Sequence, residues 1–180
     1  PGTIIRGDTQ IGSDVSIEGH CVIQNSVIHN CTVINAYSHI NGAQVAQGAT
    51  VGPFARLRPG AQLAEDSRVG NFVEVKNSIL HEGVKASHLT YLGDAEIGAQ
   101  TNVGAGTITC NYDGSSKHKT SIGEKCFIGS NATLVAPLTL GCGSYVAAGS
   151  TITADIPDDA LGIGRSRQVN KEGLARKLKR

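Results

Sequence analysis

The sequence predicts an all-β protein, a parallel β-solenoid of short strands that ends in a short helical tail. Three observations carry this. Aliphatic residues recur every sixth position, as Ile5, Ile11, Ile17, Ile23, then Val45, Val51, Leu57, Leu63, Val69, Val75, then Ile122, Ile128, Leu134, Leu140, Val146, Ile152. Glycine supplies 23 of 180 residues and often follows such an aliphatic, as at Gly12, Gly52, Gly70, Gly98, Gly104, Gly123, Gly129 and Gly141. The 39% hydrophobic share is mostly Ile, Val, Leu and Ala, with no Trp and 4% aromatics, which suits a long thin core. A helix repeats near ~3.6 residues and a half-buried strand near ~2, so neither explains the spacing. A short strand followed by a corner does, with one aliphatic per unit pointing inward and a glycine easing the corner dihedrals.

Taken in order, the runs are joined by Ile28, Ile34, Ile40 and by Leu80, Ala86, Leu92, Ile97, Val103, and the steps 23→28, 40→45, 75→80 and 92→97 each lose one residue. Three units make an 18-residue coil, so residues 4 to 153 predict about eight coils over a solenoid domain assigned to residues 1–154. The count fails from Thr109 to Ile122, which predicts a polar loop over 110–120 ejected from the coil. Beyond Ala154 comes a basic extension, 155–180, with a short helix expected in Asn170–Leu178.

Composition narrows the function. No apolar run approaches the ~20 residues of a membrane helix, and the aliphatic content excludes a disordered body. The chain carries no Met, which leads us to expect a piece of something longer, and no signal peptide opens it. The net charge of +1 hides seven basic residues against one acid from Arg165 to Arg180, leaving residues 1–164 at −5. That tail reads either as a solvated terminus or as a patch for polyphosphate; nucleic-acid binding is disfavoured by the acidic, aromatic-poor body. The odd set Cys21, Cys31, Cys110, Cys126 and Cys142 has no C-x-x-C pair and is read as small buried residues in a reducing cytoplasm.

Register arithmetic then yields chemistry. Arg58 and Lys76 each follow an inward aliphatic 18 residues apart and should stack on successive coils. Like charges so placed invite an anion between them, with Lys117 as a third cation, or splay into water. His88 lies two residues past an inward position, and we take it to reach the surface, where an imidazole can accept a proton at neutral pH. Glu74 could orient that imidazole, although strict stacking puts it under Tyr91. Ser130 and Ala148, also 18 apart, form a column of small side chains beside which an extended amide ligand such as a pantetheine arm could lie. His81, His88 and His118 prompt a zinc alternative, but no ligand pattern enforces their convergence and no metal is assigned.

The repeat resembles the hexapeptide-repeat acyltransferases, which implies a left-handed β-helix. The stretches Val51–Gly60, Gly70–Lys76, Ser87–Asp94 and Asn102–Gly114 are narrower. They resemble the C-terminal domain of the bacterial bifunctional N-acetylglucosamine-1-phosphate uridyltransferase / glucosamine-1-phosphate acetyltransferase family, and the likeness covers essentially the whole chain. It implies acetyl transfer from acetyl-CoA to the amine of glucosamine 1-phosphate, in a cytoplasmic homotrimer with sites between subunits; the uridyltransferase domain would be missing. Carried over by position, His88 is the general base and Glu74 its support. Arg58, Lys76 and Lys117 bind the sugar phosphate, Tyr91 and Asn102 the sugar. Asn111, Tyr112 and Ser130 lie at the reacting centre and touch the coenzyme, which Ala105, Ala148 and Arg165 line. The alternatives are a non-catalytic trimeric scaffold and another hexapeptide-repeat acyltransferase.

Overall fold

A computed structural model describes residues 1–178; Lys179 and Arg180, the end of the basic tail, lie outside the described residues. The chain winds three parallel sheets of nine, eight and nine strands, and within each sheet every strand pairs with the one a full coil later. Strands of two to four residues alternate with corners, so no strand pairs with its sequence neighbour. This is the architecture the six-residue spacing demands. The aliphatics are the inward positions, stacked in register: Ile5, Ile23, Ile40, Leu57, Val75, Leu92 in the first sheet; Ile11, Ile28, Val45, Leu63, Leu80, Ile97, Ile122, Leu140 in the second; Ile17, Ile34, Val51, Val69, Ala86, Val103, Ile128, Val146 in the third. From the second coil onward these residues are buried in one continuous core. Burying each aliphatic side chain contributes about 1.5–3 kcal/mol.

The four five-residue steps all fall at one corner, where the first sheet hands over to the second. There Asn25, Gly42, Asn77 and Asp94 take left-handed φ of 49°, 60°, 46° and 48°, as Gly7 and Gly60 do at the six-residue steps of the same corner. Asn, Asp and Gly are the residues that visit this region at low cost. The long step 109→122 is the same corner again, with the loop inserted.

Three expectations need correcting. The glycines that follow inward aliphatics do not relieve dihedrals: of the eight, only Gly52 has positive φ. They are required by close approach, since a Cβ on Gly104 would sit 2.6 Å from both Ile128 O and Ser130 N of the next coil. The solenoid also runs past Ala154. Asp155–Asp159 breaks the six-residue count, yet Ile156 is buried and bridges to Leu140, and strand Leu161–Gly162 pairs with Tyr145–Val146. Nine coils result, the last closed by Thr151 N donating to Gly164 O. Cys21 and Cys126 are buried, but Cys31 and Cys142 are exposed and Cys110 is half-buried. The tail helix spans Leu174–Leu178 and buries nothing.

The inserted loop is a small hairpin. Tyr112 bridges antiparallel to Lys117, His118 N donates to Asn111 O, and the Asp113 carboxylate accepts from Ser115 N and Ser116 N. The His118 ring closes on the same carboxylate at 2.7 Å.

Candidate active site

The sheet register sorts the candidate residues into columns along the solenoid. One column lies two residues past each inward position of the third sheet, at its corner with the first. Pairing of Asn71 with His88, Ala86 with Val103, Val103 with Ile128 and Ile128 with Val146 makes its members Asn71, His88, Ala105, Ser130 and Ala148. Adjacent coils stand about 4.8 Å apart. His88, Ala105, Ser130 and Ala148 are therefore successive rungs, and Gly164 continues the column to Arg165. His88, Ser130 and Ala148 are exposed, so the corner presents an imidazole followed by three small residues, a shelf for an extended ligand.

The outward face of the first sheet carries Arg56, Glu74 and Tyr91 in register. Its opposite corner, towards the second sheet, carries Arg58 and Lys76 on successive coils, with Arg58 N donating to Val75 O. One position further, Asn77, Asp94 and Asn111 form a polar ladder. Asn77 Nδ2 donates to Asp94 Oδ1 at 2.5 Å, and Asn111 Nδ2 donates to Asp94 Oδ2. Burial alone would raise the Asp94 pKa, but these two donors, with Lys76 and Lys117 nearby, hold it below the ordinary carboxylate value. Lys117, on the hairpin, lies against Lys76, and that contact lowers its pKa. The two lysines thus share one site, with the Asp94 carboxylate beside them as a counter-charge.

Glu74 departs from the expectation placed on it. Its carboxylate accepts from Arg58 Nη1 at 2.9 Å and lies 3.7 Å from Arg56, so it serves the guanidinium and not the imidazole. The stack of Arg58 on Lys76 is present, but Arg58 is already paired with Glu74. The partner of His88 is Asn71, whose Oδ1 lies 3.0 Å from Nδ1. With the amide oxygen as acceptor, Nδ1 carries the proton and the Nε2 lone pair faces outward, the tautomer a general base needs. Sequence reasoning missed Asn71, although its spacing of 17 residues from His88 equals the coil length 75→92. It also assigned no role to Asp94.

Within one chain the candidates do not form a single cluster. Tyr91 sits on the first sheet between the His88 column and the Lys76–Lys117 pair. Asn102 lies around the corner on the outward face of the third sheet, opposite Phe127 and Lys85. Asn111 is buried at the first-to-second corner and Tyr112 is exposed on the hairpin, so both stand across the first sheet from Ser130. Arg165 is exposed in the tail segment, where Ile163, Arg165, Ser166, Arg167 and Gln168 line a shallow cavity of about 290 Å³. A cavity of about 400 Å³ adjoins the hairpin, between Asp94, Glu96, Lys117 and Lys119. No grouping of three or more His, Cys, Asp or Glu side chains suits a metal among the described residues. His81 lies 3.1 Å from Glu96 and His118 pairs with Asp113, so the three-histidine alternative finds no shared centre.

Residues 119–154 match a family model described as the hexapeptide repeat of succinyl-transferase. The chain is 55% identical over 164 residues to the bifunctional protein GlmU of Nitratidesulfovibrio vulgaris, covering 91% of this chain and 36% of that protein. It is 54% identical over 177 residues to bifunctional protein GlmU of Stutzerimonas stutzeri, covering 98% and 39% respectively. It therefore spans under two-fifths of these relatives. Among solved structures, LpxA, a UDP-N-acetylglucosamine acyltransferase from Bacteroides fragilis, superposes with TM-score 0.61 at 20% identity over 89% of this chain and 69% of that one. PerB from Caulobacter crescentus, solved with CoA and GDP-perosamine, superposes with TM-score 0.57 at 24% identity over 64% and 54%. Both likenesses concern the fold.

Proposed function

From the premise that the chain is a homologue of the bifunctional GlmU proteins along nearly its whole length, we propose that it transfers the acetyl group of acetyl-CoA to the amine of glucosamine 1-phosphate. The observation that carries this reading is the His88 column, an exposed imidazole whose Nδ1 lies 3.0 Å from Asn71 Oδ1, at the foot of a shelf of small residues. A pantetheine arm laid along Ala105, Ser130 and Ala148 would bring its thioester towards His88, with the nucleotide phosphates reaching Arg165. PerB, which shares the fold, was solved with CoA.

In this reading the amine nitrogen attacks the thioester carbonyl carbon while His88 Nε2 takes the amine proton. The hairpin backbone at Asn111 and Tyr112 positions the amine and stabilises the tetrahedral oxyanion, with Ser130 near the thioester. As the intermediate collapses, the C–S bond breaks and the imidazolium returns the proton to the departing CoA sulfur. The products are N-acetylglucosamine 1-phosphate and free CoA. Lys76, Lys117 and Arg58 hold the phosphate, and Glu74 keeps the Arg58 guanidinium aimed. Tyr91 and Asn102 contact the sugar.

Ser130 and Asn111 stand on opposite edges of the first sheet, so one chain cannot apply both to one substrate. A cytoplasmic homotrimer, in which one copy's hairpin meets its neighbour's His88 edge, resolves that separation. The test follows free thiol release with glucosamine 1-phosphate and acetyl-CoA: His88→Ala should lose at least ~10²-fold in kcat. Undiminished turnover would reject His88 as the base, and no turnover in the parent protein would reject the reaction.

A further inference from the structure

The first-to-second corner holds a residue to which sequence and mechanism gave no task. Asp94 grips the hairpin at both ends. Its carboxylate accepts from Asn111 Nδ2, where the chain leaves the coil, and its backbone carbonyl accepts from Thr120 N at 3.1 Å, where the chain returns. Its own N–H donates to Lys76 O at 3.1 Å, which ties the same residue to the other cation of the pair. The remaining carboxylate oxygen is held by Asn77, so the side chain has no freedom to turn away. Between the clamped ends the hairpin is braced internally, by His118 N to Asn111 O at 2.8 Å and by the Asp113 cap. A rigid hairpin fixed at both feet has one place for Lys117, and that place is beside Lys76.

We propose that Asp94 is the positioning residue of the phosphate site: by fixing both ends of the hairpin it holds Lys117 against the repulsion of Lys76. The inference rests on the sugar-phosphate reading above and adds a residue to it. Two physical effects of Asp94 oppose each other. Its negative charge beside the lysines weakens their hold on an anion, whereas its clamp keeps the second lysine in place. If charge dominated, removing it would tighten sugar-phosphate binding; if the clamp dominates, removing it loosens binding. The lysines repel; Lys119 paired with Glu96 at 2.6 Å anchors only the returning foot of the hairpin, so the Asp94 carboxylate is the side-chain contact that holds the leaving foot at Asn111. A cation displaced by an ångström or more loses direct hydrogen bonding to a phosphate oxygen. The clamp therefore wins.

The test uses Asp94→Asn and Asp94→Gly, because Asp94 has φ of 48° and both replacements tolerate it. In Asp94→Gly, which removes the acceptor for Asn111, KM for glucosamine 1-phosphate should rise at least ~5-fold, clearly more than KM for acetyl-CoA; in Asp94→Asn, which loses the charge but keeps an oxygen acceptor for Asn111, it should stay within ~2-fold of the parent protein or fall. Placed on Lys117→Ala, Asp94→Gly should add less than ~2-fold to that KM, because it acts through the lysine already lost. Amide exchange across 111–119 should quicken in Asp94→Gly, whether or not substrate is present. An unchanged or lowered sugar-phosphate KM in Asp94→Gly, a rise in Asp94→Asn as large as in Asp94→Gly, or a full additive rise of Asp94→Gly on Lys117→Ala, overturns the proposal. Absence of activity in the parent protein would instead remove the reaction beneath it, and quickened exchange would still report the clamp.

Discussion

Gly104→Ala probes the close approach on which the coil spacing depends. Gly104 is not at positive φ, so alanine suits its backbone and the cost is steric. The added Cβ would meet Ile128 O and Ser130 N at 2.6 Å and Gly129 C at 2.8 Å, all backbone of the following coil. Backbone cannot rotate out of the way, so the two coils must part by roughly 0.6–0.8 Å to restore ordinary contact. The bond from Gly104 N to Ile128 O, now 2.8 Å, would stretch beyond useful length. Its neighbours, Asn102 N to Cys126 O at 3.0 Å and Asn131 N to Ala105 O at 2.7 Å, would weaken. Two or three such bonds at ~1 kcal/mol each, plus loosened contact of Val103 on Ile128, come to about 3 kcal/mol. The stiffer unfolded chain of the alanine variant returns about 0.4–1 kcal/mol. A net loss of ~2–3 kcal/mol, at an m of roughly 2 kcal/mol/M, moves the urea midpoint down by about 1–1.5 M. Gly19→Ala is the control, its Cβ meeting only Pro1 O at 3.1 Å. A Gly104→Ala midpoint within about 0.3 M of the parent protein would refute close approach as the reason for glycine there. The same shift misplaces Ala105 relative to Ser130, so turnover of the folded variant should fall at least ~10-fold.

Asn71→Ala should lower kcat by about 10-fold with little change in either KM, because it frees the tautomer and orientation of His88 without touching substrate; steady-state kinetics decide it. Arg58→Ala should raise the sugar-phosphate KM far more than the acetyl-CoA KM, and equal effects would contradict its assignment to the phosphate. The contact with Lys76 lowers the Lys117 pKa from the ordinary lysine value of 10.5, so kcat/KM for the sugar phosphate should decline at a lower pH than an unperturbed lysine would allow. Lys117→Ala should abolish that part of the profile. The Asp113 carboxylate is held well below the usual range, chiefly by Ser116 N and then by His118 and Ser115 N. A depressed acid stabilises above its unfolded value of 3.8 and loses that contribution as pH falls through the folded value, so hairpin amide exchange should quicken only in strong acid.

The fold was legible because its rule is one-dimensional: an inward aliphatic every sixth position needs no knowledge of distant contacts. Even the irregularities were countable, for the four shortened steps proved to be one corner of the solenoid. The misread glycines show where counting ends. A period marks that a small residue is required, but dihedral strain and close approach ask for the same residue, and only coordinates separate them. Past Ala154 the count broke on Asp155–Asp159 while the sheets continued, because strand pairing tolerates a shortened corner, here the four-residue step from Ile152 to Ile156, that a strict period does not.

The site was half legible for the same reason. Contacts along a column follow from coil length alone, and the 17-residue step that pairs Val75 with Leu92 also pairs Asn71 with His88 and would have named the imidazole's partner. Contacts across a column depend on side-chain reach and charge. Glu74 lies near both Arg58 and Tyr91, and a full charge on the guanidinium outbids a neutral ring for its carboxylate. Asp94 stayed hidden because its value lies in what it ties together: a carboxylate on one end of an insertion and a carbonyl on the other, a coincidence that sequence spacing cannot display once the loop has broken the period.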